Sequence, residues 1–387
     1  MKARTVHIIT KLELGGAQEV ALYTARHLRR DLYSVTFVSG EGGVLTQDAR
    51  SIPEAEYIEV PELVRNISPL KDFMAFVRLY RIIRGLAAVD GGSILVHTHS
   101  SKAGILGRLA AYAAGARVIV HTIHGFGFND EQGWLRRNLF VSLEKIAGRA
   151  TSSFVAVAYE NIKKGVANGI FKEDKAVVVR CGIDTAHFAE SPADPDAKRK
   201  ELGLPEGAPV VTMVACLKPQ KAPVDFVKVA AKVLGSVPDA HFLLAGDGEL
   251  RGNVLAEAEK LGISERFHLL GWRRDVRDIM HLSDVVVLTS LWEGLPKVVP
   301  QAMAAGRPVV ATAVDGTPEA IKDGVNGFLA RPHDVEYMAE KVSLLLKDKE
   351  LARSMGEAGR RMVRGFDERE MLRGIEALYE RLLGGAV

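Results

Sequence analysis

Glu293 and Gly294 stand between an apolar run, Val285 to Thr289, and a short helical pattern that leads into a second apolar run, Pro308 to Ala311. That order puts a carboxylate and a glycine at the carboxyl end of a buried strand, just ahead of a helix N-terminus. Free N–H groups and the helix dipole point there, so an anionic ligand can be held. Pro296 has no N–H to give, which leaves those of Leu295, Lys297 and Val298 as candidate phosphate donors. Pro300 is tolerated only near a helix start, so the helix is expected to begin within Pro296–Val299, its dipole toward the ligand. Gln301 brings an amide oxygen that can accept a hydroxyl hydrogen bond. The plainer reading of Glu293 is an acid stabilised by the helix dipole.

Other strand ends carry chemistry of the same kind. Gly15 and Gly16 follow the run Val6–Thr10 and precede a helical pattern, where glycine lets a backbone approach a phosphate or simply makes a turn. The spacing is not Gly-x-Gly-x-x-Gly, so a dinucleotide fingerprint is unsupported. Lys218 and Lys221 follow the run Val210–Ala215, and Gly246, Asp247 and Gly248 form a tight turn after another. His97, His99, His121 and His124 end two further runs. A metal site is disfavoured there, because a crossover separates the two strands and no acid lies at ligand spacing. Asp194-Pro195-Asp196 reads as a turn rather than a carboxylate pair.

The elements that position these residues alternate. Strand-like runs lie at 6–10, 35–38, 57–60, 94–97, 118–121 and 154–157, then at 210–215, 241–245, 267–270, 285–289 and 308–311, with helical patterns between them. Short buried strands separated by helices imply α/β architecture with parallel sheets covered on both faces. The pattern occurs twice, so two Rossmann-like domains are expected, the stretch 184–209 joining them as a linker or surface excursion. Met371, Ile375, Leu378 and Leu382 mark a final amphipathic helix. The chain has 387 residues, is 47% hydrophobic and 26% charged, and reads as globular. Two cysteines, Cys181 and Cys216, lack zinc-type spacing and point to a reducing compartment. No apolar run reaches a membrane span. Residues 1–180 hold 24 Lys and Arg against 17 Asp and Glu, a basic half that suits a phospholipid or lipid-diphosphate partner as well as it suits simple solubility. Phe73–Arg84 and Trp134–Phe140 mix aromatic, aliphatic and basic residues. The first reads as a core helix; the second suits either a core or an interfacial helix.

The segment from Ser290 to Thr312, with Leu14–Gln18, His121–Phe126, Ser100–Arg108 and Cys216–Lys221 in that arrangement, resembles the retaining glycosyltransferases of family 4. The resemblance spans nearly the whole length. It implies the GT-B fold, two Rossmann-like domains facing across a cleft: 1–184 on the acceptor side, 185–365 binding the donor, and a helix, 366–387, crossing back to the first. In that family two acids separated by seven residues grip the donor sugar and ribose. Glu293 holds the first place and Gln301 the second, where a neutral amide should bind ribose more weakly than a carboxylate. The family's diphosphate-binding Arg and Lys correspond to Cys216 and Lys221. A thiol cannot replace a guanidinium, so Lys218 is a candidate compensation, its plainer reading being a solvated surface lysine. The resemblance also lays the Gly15–Gly16 loop over the diphosphate, sets Gly246 near the nucleotide and faces His124 to the sugar, leaving His97, His99 and His121 as supporting or core residues.

The expected activity is transfer of a hexose from a nucleotide sugar, UDP first among them, to a glycan or lipid-linked acceptor in polysaccharide synthesis. His124, Glu293 and Lys221 are the expected catalytic residues. No protein nucleophile, cofactor or obligatory metal is implied. No nucleic-acid partner is expected, and the place of action is the cytoplasm, with an anionic inner membrane face as a candidate surface. Two rivals remain: a UDP-sugar epimerase of the same fold, and a catalytically weak nucleotide-sugar-binding protein. An NAD-dependent oxidoreductase is disfavoured by the missing fingerprint.

Overall fold

The computed structural model describes residues 2–89, 94–129, 132–192 and 194–384. The chain divides into two compact units, Met1–Gly182 with Glu368–Val387, and Ile183–Asp367. In the first, strands β1 (Ala3–Ile9), β2 (Tyr33–Ser39), β3 (Ala55–Glu59), β4 (Ile94–His99), β5 (Val118–Ile123), β6 (Ser153–Ala156) and β7 (Ala176–Val178) form a sheet of order β3-β2-β1-β4-β5-β6-β7. In the second, β8 (Val210–Val214), β9 (His241–Ala245), β10 (Phe267–Gly271), β11 (Val285–Leu288), β12 (Val309–Thr312) and β13 (Gly327–Ala330) take the order β10-β9-β8-β11-β12-β13. The pairings between these strands are parallel. This is the doubly wound arrangement expected from runs of Val, Ile and Leu buried on both faces. In each sheet the order reverses beside the first strand, between β1 and β4 and between β8 and β11. Side chains at the carboxyl ends of those strands border a crevice where such sheets bind ligands.

The first core packs Val6, Ile8 and Val96 of the sheet against Leu79, Ile83 and Ala110. The second packs Val211, Met213, Phe242 and Leu244 against Phe226, Val342 and Leu345. Two strands escape the sequence reading, β7 and β13. Both close a sheet edge, are three or four residues long and are only partly buried, so their apolar run is too brief to signal a strand.

Four expectations change. The stretch 184–209 carries two helices within the second unit, Thr185–Ala189 and Pro195–Glu201. Asp194 is not in a simple turn: it caps the second helix, its carboxylate accepting from Ala197 N at 2.8 Å with Pro195 in the first turn. Its neighbour Ala193 lies outside the described residues. The helix Pro69–Val89 buries Ala75, Leu79 and Ile83, but Leu70, Phe73 and Met74 at its start are exposed. The last helix, Glu368–Leu383, belongs to the first unit and buries Met371, Ile375, Leu378, Tyr379 and Leu383, so Leu383 rather than Leu382 completes the face.

Candidate functional site

In the second unit the reversal between β8 and β11 brings two strand exits side by side. After β8 the chain turns through Cys216 and Lys218, makes one 3-10 turn at Pro219–Lys221 and enters the helix Pro223–Leu234 through Ala222, whose φ is +41°. After β11, Thr289 ties the exits together: its hydroxyl donates to Lys221 O at 2.8 Å and Ala222 O at 3.0 Å. Leu291 N donates to Gln220 O at 2.8 Å, and the Gln220 amide donates to Trp292 O at 2.9 Å. These bonds deliver the Lys221 ammonium onto the Glu293 carboxylate. Ser290 Oγ donates to the same Glu293 oxygen at 2.6 Å, and Glu293 N donates to Asp315 Oδ2 at 2.7 Å. Glu293 is buried and Lys221 partly so.

Chemically this is a fixed acid beside a fixed base at a strand-end crevice. The ammonium can stabilise a phosphate oxygen, and the carboxylate can accept from hydroxyl groups. The helix Val298–Ala304 starts within the window that the two prolines allow, with Lys297 as its N-cap. Leu295 and Val298 have buried side chains, and among the described residues no backbone carbonyl takes either N–H. Gln301 lies in that helix, half-buried, its N–H on Lys297 O at 3.1 Å. Gly294 O accepts from Gly316 N at 3.1 Å. Lys218 is half-buried, and no ion pair engages its ammonium among the described residues.

Gly246 has a tighter local duty than ligand approach. Its φ is +145°, a Cβ there would stand 1.9 Å from Ala215 O, and its N–H is committed to Gly271 O at 2.8 Å. Only glycine fits that turn, and its N–H is spent inside the fold rather than on a ligand.

In the first unit, Gly15 caps the helix Gly16–His27 after β1 in an extended conformation, φ 176°. Ser100 follows β4 with φ +63°, a strained value for serine. Its Oγ lies 2.8 Å from Thr10 Oγ1, which accepts from Ala103 N at 3.1 Å, locking the two strand ends together. His124 follows β5, half-buried, with Nε2 3.2 Å from His99 Nδ1.

The argument that a crossover keeps these histidines apart is corrected by the topology. The crossover sets β4 and β5 side by side, with Thr98 opposite His121, and β1 adds His7 opposite His97. His7, His97 and His99 are fully buried, and their ring nitrogens converge closely enough to hold a metal ion. Burial pushes the His7 imidazolium down to about 3, with Arg30 adding to the effect. Burial and then the neighbouring imidazoles hold His97 and His99 well below the ordinary histidine range. His97 is satisfied by Tyr379 OH and, at 2.6 Å, by Thr122 Oγ1; His121 Nδ1 meets Thr98 Oγ1 at 2.9 Å. The sequence reading overlooks His7, Ser290, Asp315 and Tyr379. Only Ser290 sat inside a segment singled out for its chemistry; the others are brought in by packing.

The family profile described as Glycosyl transferases group 1 matches residues 194–362, and that described as Glycosyltransferase Family 4 matches residues 14–187. A UDP-Gal:alpha-D-GlcNAc-diphosphoundecaprenol alpha-1,3-galactosyltransferase of Escherichia coli is 32% identical over 381 residues, 98% of this chain and 97% of that one. Among solved structures, Anabaena Alr3699/HepE in complex with UDP-glucose has TM-score 0.83 at 21% identity, covering 98% of this chain and 100% of its own. Sucrose-phosphate synthase of Thermosynechococcus elongatus has TM-score 0.86 at 20% identity, covering 100% of both.

Proposed function

The chain belongs to the group 1, family 4 glycosyltransferases, with the GT-B fold, and within that family we propose that it moves a hexose from a UDP-sugar to a lipid-diphosphate-linked glycan, retaining the anomeric configuration. The observation that carries the reading is the Lys221–Glu293 contact at the strand reversal of the second unit. The full-length likeness to a galactosyltransferase that uses UDP-Gal and a diphosphoundecaprenol-linked acceptor supports both the donor and the acceptor class.

On donor binding, Lys221 exchanges its carboxylate partner for the diphosphate, Lys218 adds charge, and the N–H groups of Leu295, Lys297 and Val298 face the phosphate. Glu293 is thereby released to accept from sugar hydroxyls while Ser290 keeps one of its oxygens oriented. Gln301 accepts from ribose; the first unit, taken by itself, offers Gly15 and Gly16 for a close backbone approach and His124 as its candidate sugar contact. The bond between the anomeric carbon and the phosphate oxygen breaks, and the acceptor hydroxyl bonds that carbon from the same face, its proton passing to the departing phosphate oxygen. The charge that grows on the diphosphate is stabilised by groups already in place, which is where most of the rate enhancement arises. No metal is required for this scheme.

Two apolar helix starts support a membrane-side acceptor. Trp134, Leu135 and Leu139 are exposed on the helix Trp134–Arg149, and Leu70, Phe73 and Met74 on Pro69–Val89. Both helices pack against Ser101–Ala114. Arg136 and Arg137 add positive charge beside the first group, as an anionic cytoplasmic leaflet would require. No described helix is long and apolar enough to cross a membrane.

The test is incubation with UDP-, GDP-, ADP- and TDP-sugars and a diphosphate-linked GlcNAc lipid. A UDP-sugar should raise the melting temperature, by the equivalent of about 2.7 kcal/mol at a hundredfold excess over Kd. The product should carry the donor's anomeric configuration by proton NMR. An epimerised sugar formed without acceptor, or binding with no transfer, would favour one of the two rivals instead.

A further inference from the structure

Three bonds tie the exit of β12 to the segment that carries Glu293. The Thr312 hydroxyl donates to Ser290 O, Glu293 N donates to Asp315 Oδ2 at 2.7 Å, and Gly316 N donates to Gly294 O at 3.1 Å. They hold the main chain at Ser290, Glu293 and Gly294. The exit of β8 holds the same segment from the other side, through Gln220 at Leu291 and Trp292 and through the Lys221 ammonium at the carboxylate itself.

Asp315 makes its bond from an unfavourable backbone. Its φ is +41°, a region that an L side chain enters at a cost and glycine enters freely. Two of the five described non-glycine residues with positive φ adjoin the acid–base pair: Ala222, next to Lys221, and Asp315. Strain of this kind persists only where the surroundings over-determine it, and it gathers at functional sites. Glycine at this position would relieve the backbone but forfeit the carboxylate. The bond from amide to carboxylate is charge-assisted, about twice as strong as a neutral one.

Donor binding makes the two sides unequal. Once Lys221 turns to the diphosphate, the Glu293 carboxylate loses its ammonium anchor. Ser290 Oγ still holds one carboxylate oxygen, and Asp315 still holds the Glu293 amide. We propose that Asp315 is a positioning residue, fixing the Glu293 backbone so that the freed carboxylate stays aimed at the sugar hydroxyls. The proposal rests on the reading of Glu293 given above, and Asp315 acts through that residue rather than on the donor.

The test compares Asp315→Asn with Asp315→Gly in the full chain. Both lose the charge, so Coulombic effects on the diphosphate are shared. Asparagine tolerates the left-handed backbone and keeps an acceptor oxygen; glycine relieves the backbone and keeps no acceptor. Calorimetric affinity for UDP, which lacks the sugar, should differ by less than about twofold between the two variants. Turnover of the UDP-sugar should differ by about tenfold, the effect of one orienting hydrogen bond, with Asp315→Asn within about threefold of wild type. In a Glu293→Ala background, Asp315→Gly should cost less than about threefold more, because the carboxylate it positions is gone. Wild-type turnover in Asp315→Gly, beside a slow Glu293→Ala, would overturn the proposal and leave the Glu293 reading standing. So would equal losses in the Asn and Gly variants, which would assign the effect to charge, or an undiminished loss in the Glu293→Ala background. Wild-type turnover in Glu293→Ala would overturn the Glu293 reading and the proposal with it. If Asp315→Gly does not fold, hydrogen exchange at the Glu293 amide decides. Protection in the wild-type chain that weakens in Asp315→Asn supports the bond, and exchange at the free solvent rate in the wild-type chain overturns it.

Discussion

Replacing Lys221 with alanine removes the ammonium that lies against the Glu293 carboxylate. Stranding one member of a fully buried pair costs about 3–5 kcal/mol. Here the Lys221 side chain keeps 19% of its surface and that of Glu293 keeps 7%. Ser290 Oγ still donates to the stranded carboxylate at 2.6 Å. Solvent and that hydroxyl absorb part of the loss, leaving about 1–3 kcal/mol, which lowers the melting temperature of a unit this size by about 2–12 °C. The catalytic loss should be larger. Removing one preorganised partner of the leaving group typically costs about 10²–10³ in kcat. The assays are melting curves with and without UDP, and initial transfer rates below the melting point. The variant should melt lower, gain less from UDP than wild type, and turn over at least a hundredfold more slowly. Turnover within about threefold of wild type, at a temperature where the variant is folded, would refute the assignment of Lys221 to the diphosphate.

Other positions give independent checks. Gln301→Glu restores a charged acceptor and should leave UDP affinity, measured calorimetrically, equal or tighter; a sharp loss would remove Gln301 from the ribose. Lys218→Ala should weaken donor affinity if that lysine supplies the charge Cys216 lacks, and unchanged affinity and turnover would end the compensation idea. Gly246→Ala drives a methyl into the Ala215 carbonyl at φ +145° and should cost about 2 kcal/mol or more in urea unfolding. Glu144→Ala leaves buried Arg108, whose partner stands at 2.6 Å, uncompensated, and should cost about 3–5 kcal/mol. Stability should also fall on acidification below about pH 6.5, the unfolded histidine value. Burial lowers the folded-state values of His7 to about 3 and His241 to about 4, and those of His97, His99 and His121 well below ordinary. The unfolded chain thus binds more protons as pH drops, and each such histidine contributes a slope of up to about 1.4 kcal/mol per pH unit. A urea midpoint that stays flat from pH 6.5 to pH 5 would contradict the neutral buried cluster.

How much of this was legible beforehand follows from where each signal resides. Strands β1, β4, β9 and β11 announce themselves because both faces are buried and each carries a run of consecutive apolar residues. β7 and β13 close the sheet edges, where one side lacks a partner and three or four residues suffice. The Glu293 segment was readable because its prolines, glycine and acid constrain backbone and charge locally. Its contact with Lys221 joins residues 72 positions apart and depends on Thr289 and Gln220 bonding across two strand exits. The histidines illustrate the opposite error. A crossover in sequence is separation, but in a parallel sheet it is what makes two strands neighbours. Tyr379 enters from a helix at the far end of the chain, which periodicity marks as amphipathic without naming what it covers.

A crystal structure of the chain with an unhydrolysed UDP-sugar tests the central claim most directly. The account predicts a diphosphate oxygen within hydrogen-bond reach of Lys221 Nζ and a sugar hydroxyl on the Glu293 carboxylate, their mutual contact opened. A nucleotide bound elsewhere, with that ion pair intact, would contradict it.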